Sequence, residues 1–258
     1  MTDLLSVSGV SKRFGAVVAA DAISMSAGSG SLISLIGANG AGKTTFVNIV
    51  TGYLKPDEGT IALGGQDITK LTPREITRLG VGRSFQIPQL FSRLTALHNV
   101  IAAITICGDR GWMRLARSER ADVLDRARGL LDRLGLSQYQ SHLPKGMPGG
   151  ARKLLDIAMA LGTDPRLLIL DEPTSGVSID EKFSTMDTVI ETARTEGRSI
   201  IFVEHDMELV ARYSDRCIAF LDGRIIADGT PAGVMDDPEV RSRVLGQALG
   251  QAVDHADA

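Results

Sequence analysis

The chain is poor in the features that mark whole classes of protein. Its 258 residues include only two cysteines, Cys107 and Cys217, far apart and in no metal-binding or redox spacing. A disulfide framework is excluded, and both thiols are expected to be reduced in a cytosolic protein. Although 43% of the residues are hydrophobic, no apolar run approaches the roughly 20 residues that a membrane-crossing helix needs. The opening Met1-Thr2-Asp3-Leu4-Leu5 has no basic segment ahead of a long apolar core, so no export signal is expected. Nor does one sign of charge dominate. Lys and Arg number 28 against 31 Asp and Glu, a formal net charge of -3, and no global basic field speaks for nucleic acid as a partner. Internal repeats and low-complexity runs are missing as well. A chain of this length can bury one sizeable core, or a main core with a smaller satellite.

What the chain does have is short β-branched or leucine-rich runs alternating with helical stretches, the pattern of an α/β sheet protein. Strands are predicted at 4–10, 31–36, 60–63, 81–85, 167–170, 199–203, 217–221 and 224–227. The last two flank Asp222-Gly223, a two-residue hairpin turn signal. Between about 93 and 162 the strand signal gives way to helices predicted at 94–106, 118–134 and 149–161. Arg114, Arg117, Arg120, Arg126, Arg128 and Arg133 there accompany Glu119, Asp122, Asp125 and Asp132, which reads as a solvated, salt-bridged helix surface. The organisation expected is a single domain over 1–258. Its sheet core would cover about 4–92 and 163–247, with a helical subdomain inserted at about 93–162 and a tail from about 248 that frays for want of an apolar pattern.

Residues 37 to 44 read Gly37-Ala38-Asn39-Gly40-Ala41-Gly42-Lys43-Thr44, entered from the apolar run 32–36. This is the G-x-x-x-x-G-K-[ST] phosphate-binding loop, a string that arises by accident in roughly one chain in a hundred of this length. The glycines let the backbone turn tightly and aim its N–H groups at phosphate oxygens, while the following helix adds the positive end of its dipole. Lys43 is expected to reach the β- and γ-phosphates and Thr44 to hold Mg²⁺. Downstream, Leu167-Leu168-Ile169-Leu170-Asp171-Glu172 is a buried-strand pattern ending in two carboxylates. Side chains alternate along a strand, so the two acids can point differently: Asp171 into the Mg²⁺ shell, Glu172 toward the γ-phosphate and an attacking water.

With Asp171-Glu172-Pro173-Thr174-Ser175, the histidine of Val203-Glu204-His205-Asp206 and the glutamine of Arg83-Ser84-Phe85-Gln86 standing in this order, the chain resembles the nucleotide-binding subunits of ABC transporters from about residue 4 to 247. The resemblance implies a P-loop NTPase sheet core with antiparallel β elements and an inserted helical subdomain. It implies ATP as ligand, held by residues 37–45 including Thr45, with Mg²⁺ on Thr44, Gln86 and Asp171. Gln86 would touch Mg²⁺ and the attacking water, His205 would contact the γ-phosphate, and Phe14 would stack on adenine. Ile87-Pro88-Gln89-Leu90-Phe91 matches the segment that leads to a transmembrane partner.

Narrower features resemble the ATPases of branched-chain and polar amino-acid or amide importers: Lys12-Arg13-Phe14-Gly15-Ala16-Val17-Val18-Ala19, Gly82-Arg83-Ser84-Phe85-Gln86, Val203-Glu204-His205-Asp206-Met207, and the stretch from Gly229-Thr230-Pro231 to Val244-Leu245-Gly246. Implied partners are a second ABC ATPase subunit in a hetero- or homodimer, transmembrane permease subunits and a separate solute-binding protein. The chain itself would be peripheral on the inner face of the cell membrane. Two alternatives share the engine, an exporter or lipid-trafficking ATPase and a soluble non-transport ABC protein; the second would carry a second cassette, a long coiled coil or a basic tail. Two motifs depart from the family. Met147-Pro148-Gly149-Gly150-Ala151 stands in place of the L-S-G-G-Q signature that completes a second subunit's ATP site, and Pro148 has neither hydroxyl nor N–H to offer. Gly149 and Gly150 keep their backbone donors. In Ser175-Gly176-Val177-Ser178-Ile179-Asp180, Ser178 sits where the family's dimer-crossing loop has aspartate or asparagine.

Overall fold

The structure, a computed structural model, describes residues 3–107, 117–178 and 180–246. The expected frayed tail, Arg114 and Ile179 lie outside the described residues. The chain divides into two compact units, one formed by Met1–Pro73 and Ser199–Ala258, the other by Arg74–Arg198.

The first unit opens with a hairpin of β1 (Leu5–Phe14) and β2 (Val17–Ala27). Strand β3 (Leu32–Ile36) leads into helix α1 (Lys43–Val50), and β4 (Glu58–Leu63) with the short β5 (Gln66–Asp67) completes an antiparallel sheet in the order β2-β1-β4-β5. Leu5 pairs with Leu63 and Val7 with Ile61, and the buried side chains Leu5, Val7, Ile61 and Leu63 form one apolar face. Sequence reasoning missed β2 and ended β1 at residue 10. Alanine, serine and aspartate dominate β2 and have little strand preference, but pairing with β1 from Leu5–Ala27 to Phe14–Val17 overrides that.

In the second unit α2 (Pro73–Arg78) precedes β6 (Val81–Ser84); three helices follow, α3 (Ala96–Cys107), α4 (Arg117–Arg133) and α5 (Gly149–Gly162). Then come β7 (Leu167–Asp171) and α6 (Lys182–Thr195). Strands β6 and β7 run parallel, Val81 opposite Leu167 and Ser84 opposite Leu170. The three predicted helices are present with shifted ends. Helix α3 starts at Ala96 rather than residue 94 because Thr95 turns its hydroxyl to the N–H of His98, at 3.3 Å, as a cap. The buried Asn99 meanwhile ties the loop before it through the N–H and C=O of Phe91. Val100, Ala127, Leu130, Leu131, Leu155 and Leu161 are buried on α3, α4 and α5 and make that core.

The chain returns to the first unit with β8 (Ser199–Val203), α7 (Met207–Tyr213), β9 (Arg216–Leu221), β10 (Arg224–Gly229), α8 (Pro231–Asp236) and α9 (Pro238–Val240). Strand β3 lies between β8 and β9, parallel to both, with β10 antiparallel on the outer side of β9. All five residues of β3 and of β8 are buried, which is why both read as unbroken apolar runs instead of alternating ones. Cys217 lies buried on β9 beside Ser34, and burial pushes its thiol up to about 11, so it stays protonated and unreactive near neutrality.

Candidate functional site

The phosphate-binding loop leaves the end of β3 in the first unit and closes into α1. At Gly42, the residue before the helix, φ is +103°, and a Cβ would lie 2.6 Å from the carbonyl oxygen of Ala19. At Gly37 a Cβ would come within 2.5 Å of the Phe220 carbonyl oxygen. Only glycine fits either place. Turn residue Gly223 donates its N–H to the Ala41 carbonyl at 3.0 Å, and the Phe46 ring of α1 packs at 5.5 Å on Phe220. The loop is thus held by the β9–β10 hairpin from below, while Asn39, Gly40 and Thr44 stay exposed.

Lys43 is buried and donates to the carbonyls of Gly37, at 2.6 Å, and Ala38, at 3.1 Å. Its ammonium therefore rests inside the curl of its own loop. No acidic side chain lies in the first turn of α1, and Gly42 brings no side-chain cap. The positive helix end therefore faces the loop with no acidic residue of its own first turn beside it.

His205 follows β8 and is exposed, its N–H 3.2 Å from the buried carboxylate of Glu204. Asp206 caps α7 through the N–H groups of Glu208 and Leu209. Phe14 closes β1 with 51% of its surface exposed, as a stacking platform needs and a core phenylalanine does not. Beside it, Asp57 accepts from Lys12 at 2.6 Å and from the Arg13 N–H at 2.8 Å. The Lys12 hydrogen bond and then that N–H hold the Asp57 carboxyl below its usual value.

The second unit brings Gln86, Asp171 and Glu172 together. Asp171 ends β7, nearly buried, with Oδ2 3.1 Å from the Arg83 guanidinium. Glu172 adopts φ +47°, a left-handed conformation that few non-glycine residues take. Its Oε2 accepts from the Gln86 side-chain amide at 2.9 Å. A carboxylate carried on a strained backbone and steered by a neighbouring amide is a candidate for activating a water. Within the second unit, the Gln86 amide and the Asp171 carboxylate offer oxygen donors of the kind Mg²⁺ prefers. Among the described residues no group of three or more His, Cys, Asp or Glu could hold a metal, and one carboxylate with substrate phosphates is the usual Mg²⁺ arrangement.

Pro148 stands at the N-cap of α5, its carbonyl accepting from the Arg152 N–H at 3.0 Å and its side chain capping nothing. The helix therefore starts without the hydroxyl cap that a serine supplies. A Cβ on Gly149 would lie 3.0 Å from the Gly176 carbonyl oxygen, so the start of α5 and the loop after Glu172 are close.

This arrangement coincides with a family-level match. The model of the ABC transporter family covers residues 20–175, more than half of the chain. The chain belongs to the ABC transporter family. Similar curated relatives are a probable branched-chain amino acid transport ATP-binding protein LivG of Archaeoglobus fulgidus, 34% identical over 94% of this chain and 95% of that protein, and the high-affinity branched-chain amino acid transport ATP-binding protein LivG of Escherichia coli, 35% identical over 95% of this chain and 98% of that one. A solved ATP-binding cassette of an ABC transporter in its ADP conformation superposes with a TM-score of 0.82 at 30% identity, over 94% of this chain and 98% of the other. The P-loop NTPase fold and the transporter ATPase expected from the motifs are borne out. No helix among the described residues is long and apolar enough to cross a membrane.

Three residues of this ABC ATPase were given no role from sequence: Arg83, Lys153 and Asp156. Arg83 holds Asp171 and lies over the Phe85 ring at 4.7 Å. Lys153 and Asp156 sit on the buried face of α5. The signal was available, because opposite charges three apart on an otherwise apolar helix face are buried only when they have partners.

Proposed function

We propose that the chain binds Mg-ATP through residues 37–45 and hydrolyses it with Glu172, powering an importer of branched-chain amino acids. The observation that carries the hydrolytic role is the left-handed Glu172 held by Gln86. Lys43 binds the β- and γ-phosphates, and Thr44, Asp171 and Gln86 hold Mg²⁺. When bound, the metal neutralises charge on the β- and γ-oxygens. Gln86 orients the Glu172 carboxylate, which takes the proton of the attacking water; His205 contacts the γ-phosphate and Phe14 stacks on adenine. Gly149, Gly150 and Pro148 face the nucleotide of a second ABC ATPase subunit. Transmembrane permease subunits and a separate solute-binding protein complete the assembly, with this chain on the inner face of the cell membrane. The names of the relatives support the substrate class.

Glu172→Gln keeps the side-chain shape and an oxygen for Gln86 to donate to. It is expected to retain ATP while turnover falls at least about 10²-fold. Lys43→Ala is expected to weaken nucleotide binding itself, since it removes a cation from the phosphates. Equilibrium binding and steady-state hydrolysis of both variants separate the roles, and near-normal turnover by Glu172→Gln removes Glu172 from the mechanism. Uptake of labelled leucine, isoleucine or valine that persists after deletion of the chain would refute the substrate assignment.

A further inference from the structure

We propose that Lys153 and Asp156 of α5 are positioning residues for hydrolysis, clasping the backbone around Gln86 and the peptide that enters Glu172. The inference rests on the roles given above to Gln86 and Glu172, and it adds the element that sets them. Lys153 is 1% exposed, and its ammonium donates to the carbonyls of Phe85 at 2.6 Å, Asp171 at 2.8 Å and Gln86 at 3.4 Å. Asp156, one turn further on, accepts from the Phe85 N–H at 2.8 Å through Oδ2 and from the Gln89 N–H at 3.0 Å through Oδ1. Phe85 therefore has both its N–H and its C=O fixed by one helix.

Between them the two charges reach both segments of the site. Asp156 with Lys153 fixes the main chain on both sides of Gln86, whose side chain is exposed and aimed at Glu172. Lys153 alone grips the Asp171 carbonyl, the peptide that precedes the left-handed Glu172. One ammonium thus ties together the backbones carrying the amide and the carboxylate whose separation is 2.9 Å. Stability alone does not call for this. A buried charged pair gains little over apolar residues of the same volume, whereas it fixes geometry through directed bonds. The helix that carries the clasp begins at Gly149, four residues before Lys153.

The test uses the full chain assembled with the chains that co-purify with it from membranes. Lys153→Met removes the ammonium at similar length. ATP affinity, read by equilibrium binding under non-hydrolysing conditions, is expected to stay within about twofold, while kcat falls roughly 10- to 100-fold, the penalty of an ångström-scale misplacement. Lys153→Arg, which keeps the charge and several donors, is expected to recover kcat to within about fivefold of wild type. In the Gln86→Ala background Lys153→Met is expected to add less than it costs alone, because part of its effect runs through that residue. Unchanged kcat in a folded Lys153→Met overturns the proposal, and so does a parallel loss of affinity and kcat with full additivity on Gln86→Ala. Should Lys153→Met not fold, Asp156→Asn decides: lower kcat at unchanged affinity supports the clasp, and wild-type kcat overturns it. Wild-type protein that binds ATP without hydrolysing it would instead strike down the functional reading beneath.

Discussion

At Glu172 the backbone stands in a conformation that costs an L residue about 1–2 kcal/mol relative to glycine. Glu172→Gly is therefore expected to hold or raise stability, by up to about 1 kcal/mol in urea unfolding, while hydrolysis is lost. A variant destabilised by more than that would mean the side chain, through Gln86, outweighs the strain. Two other carboxylates give opposite pH signatures. Asp57 titrates below its ordinary 3.8 in the folded chain, so its contribution is present above 3.8 and lost as the pH falls through the lower folded value. Asp156 is raised above 3.8, first by burial, against the pull of the Phe85 and Gln89 N–H groups and of Lys153 and Arg83. The folded state holds that proton more tightly than the unfolded chain, so Asp156 adds stability as the pH falls through its folded value and is a liability above it. In unfolding curves from pH 7 to 3, the gap between wild type and Asp57→Asn should close on acidification. The gap between wild type and Asp156→Asn should move in favour of wild type, and a reversed slope for either contradicts its assignment.

Among the elements, legibility followed how strongly local pattern and tertiary need agree. Strands β3, β7 and β8 are covered on both faces, so their apolar runs announced them, and the glycines of the phosphate loop announced the turn. Strand β2 exists because β1 pairs with it, and no run of β-branched residues marks it. Gln86, Asp171 and Glu172 were legible because their motifs sit at strand ends. The Lys153–Asp156 clasp was not, since its bonds go to backbone atoms that no side-chain pattern records. At the head of α5 opposing magnitudes set an expectation for Pro148→Ser. A serine cap on the helix contributes about 0.5–2 kcal/mol, and releasing proline costs about 0.4–1 kcal/mol through the unfolded chain. The melting temperature should move by no more than a few degrees, measured by calorimetry. A larger fall would make Pro148 chiefly a structural helix start.

For the whole molecule that near-cancellation makes Pro148→Ser a clean probe of assembly. The roles proposed for Lys43, Gln86, Asp171, Glu172 and His205 would give this chain a full set for its own nucleotide, yet the head of α5 has neither a side-chain hydroxyl nor an N–H to offer at residue 148. We propose a heterodimer as the arrangement that reconciles the two. In it this chain's ATP, completed by a partner with a regular signature, would turn over, while the partner's ATP, facing Pro148, would turn over slowly. One missing charge-assisted hydrogen bond is worth about 1.5–3 kcal/mol, or roughly 10- to 100-fold in rate. Pro148→Ser in the assembled transporter is therefore expected to raise turnover at the partner's site by that order and leave this chain's own site nearly unchanged. The readout is hydrolysis with the catalytic carboxylate of each subunit neutralised in turn. A purified homodimer with full cooperative ATPase activity, or a Pro148→Ser variant that changes neither site, would leave Pro148 as a helix-starting residue and end the asymmetric reading.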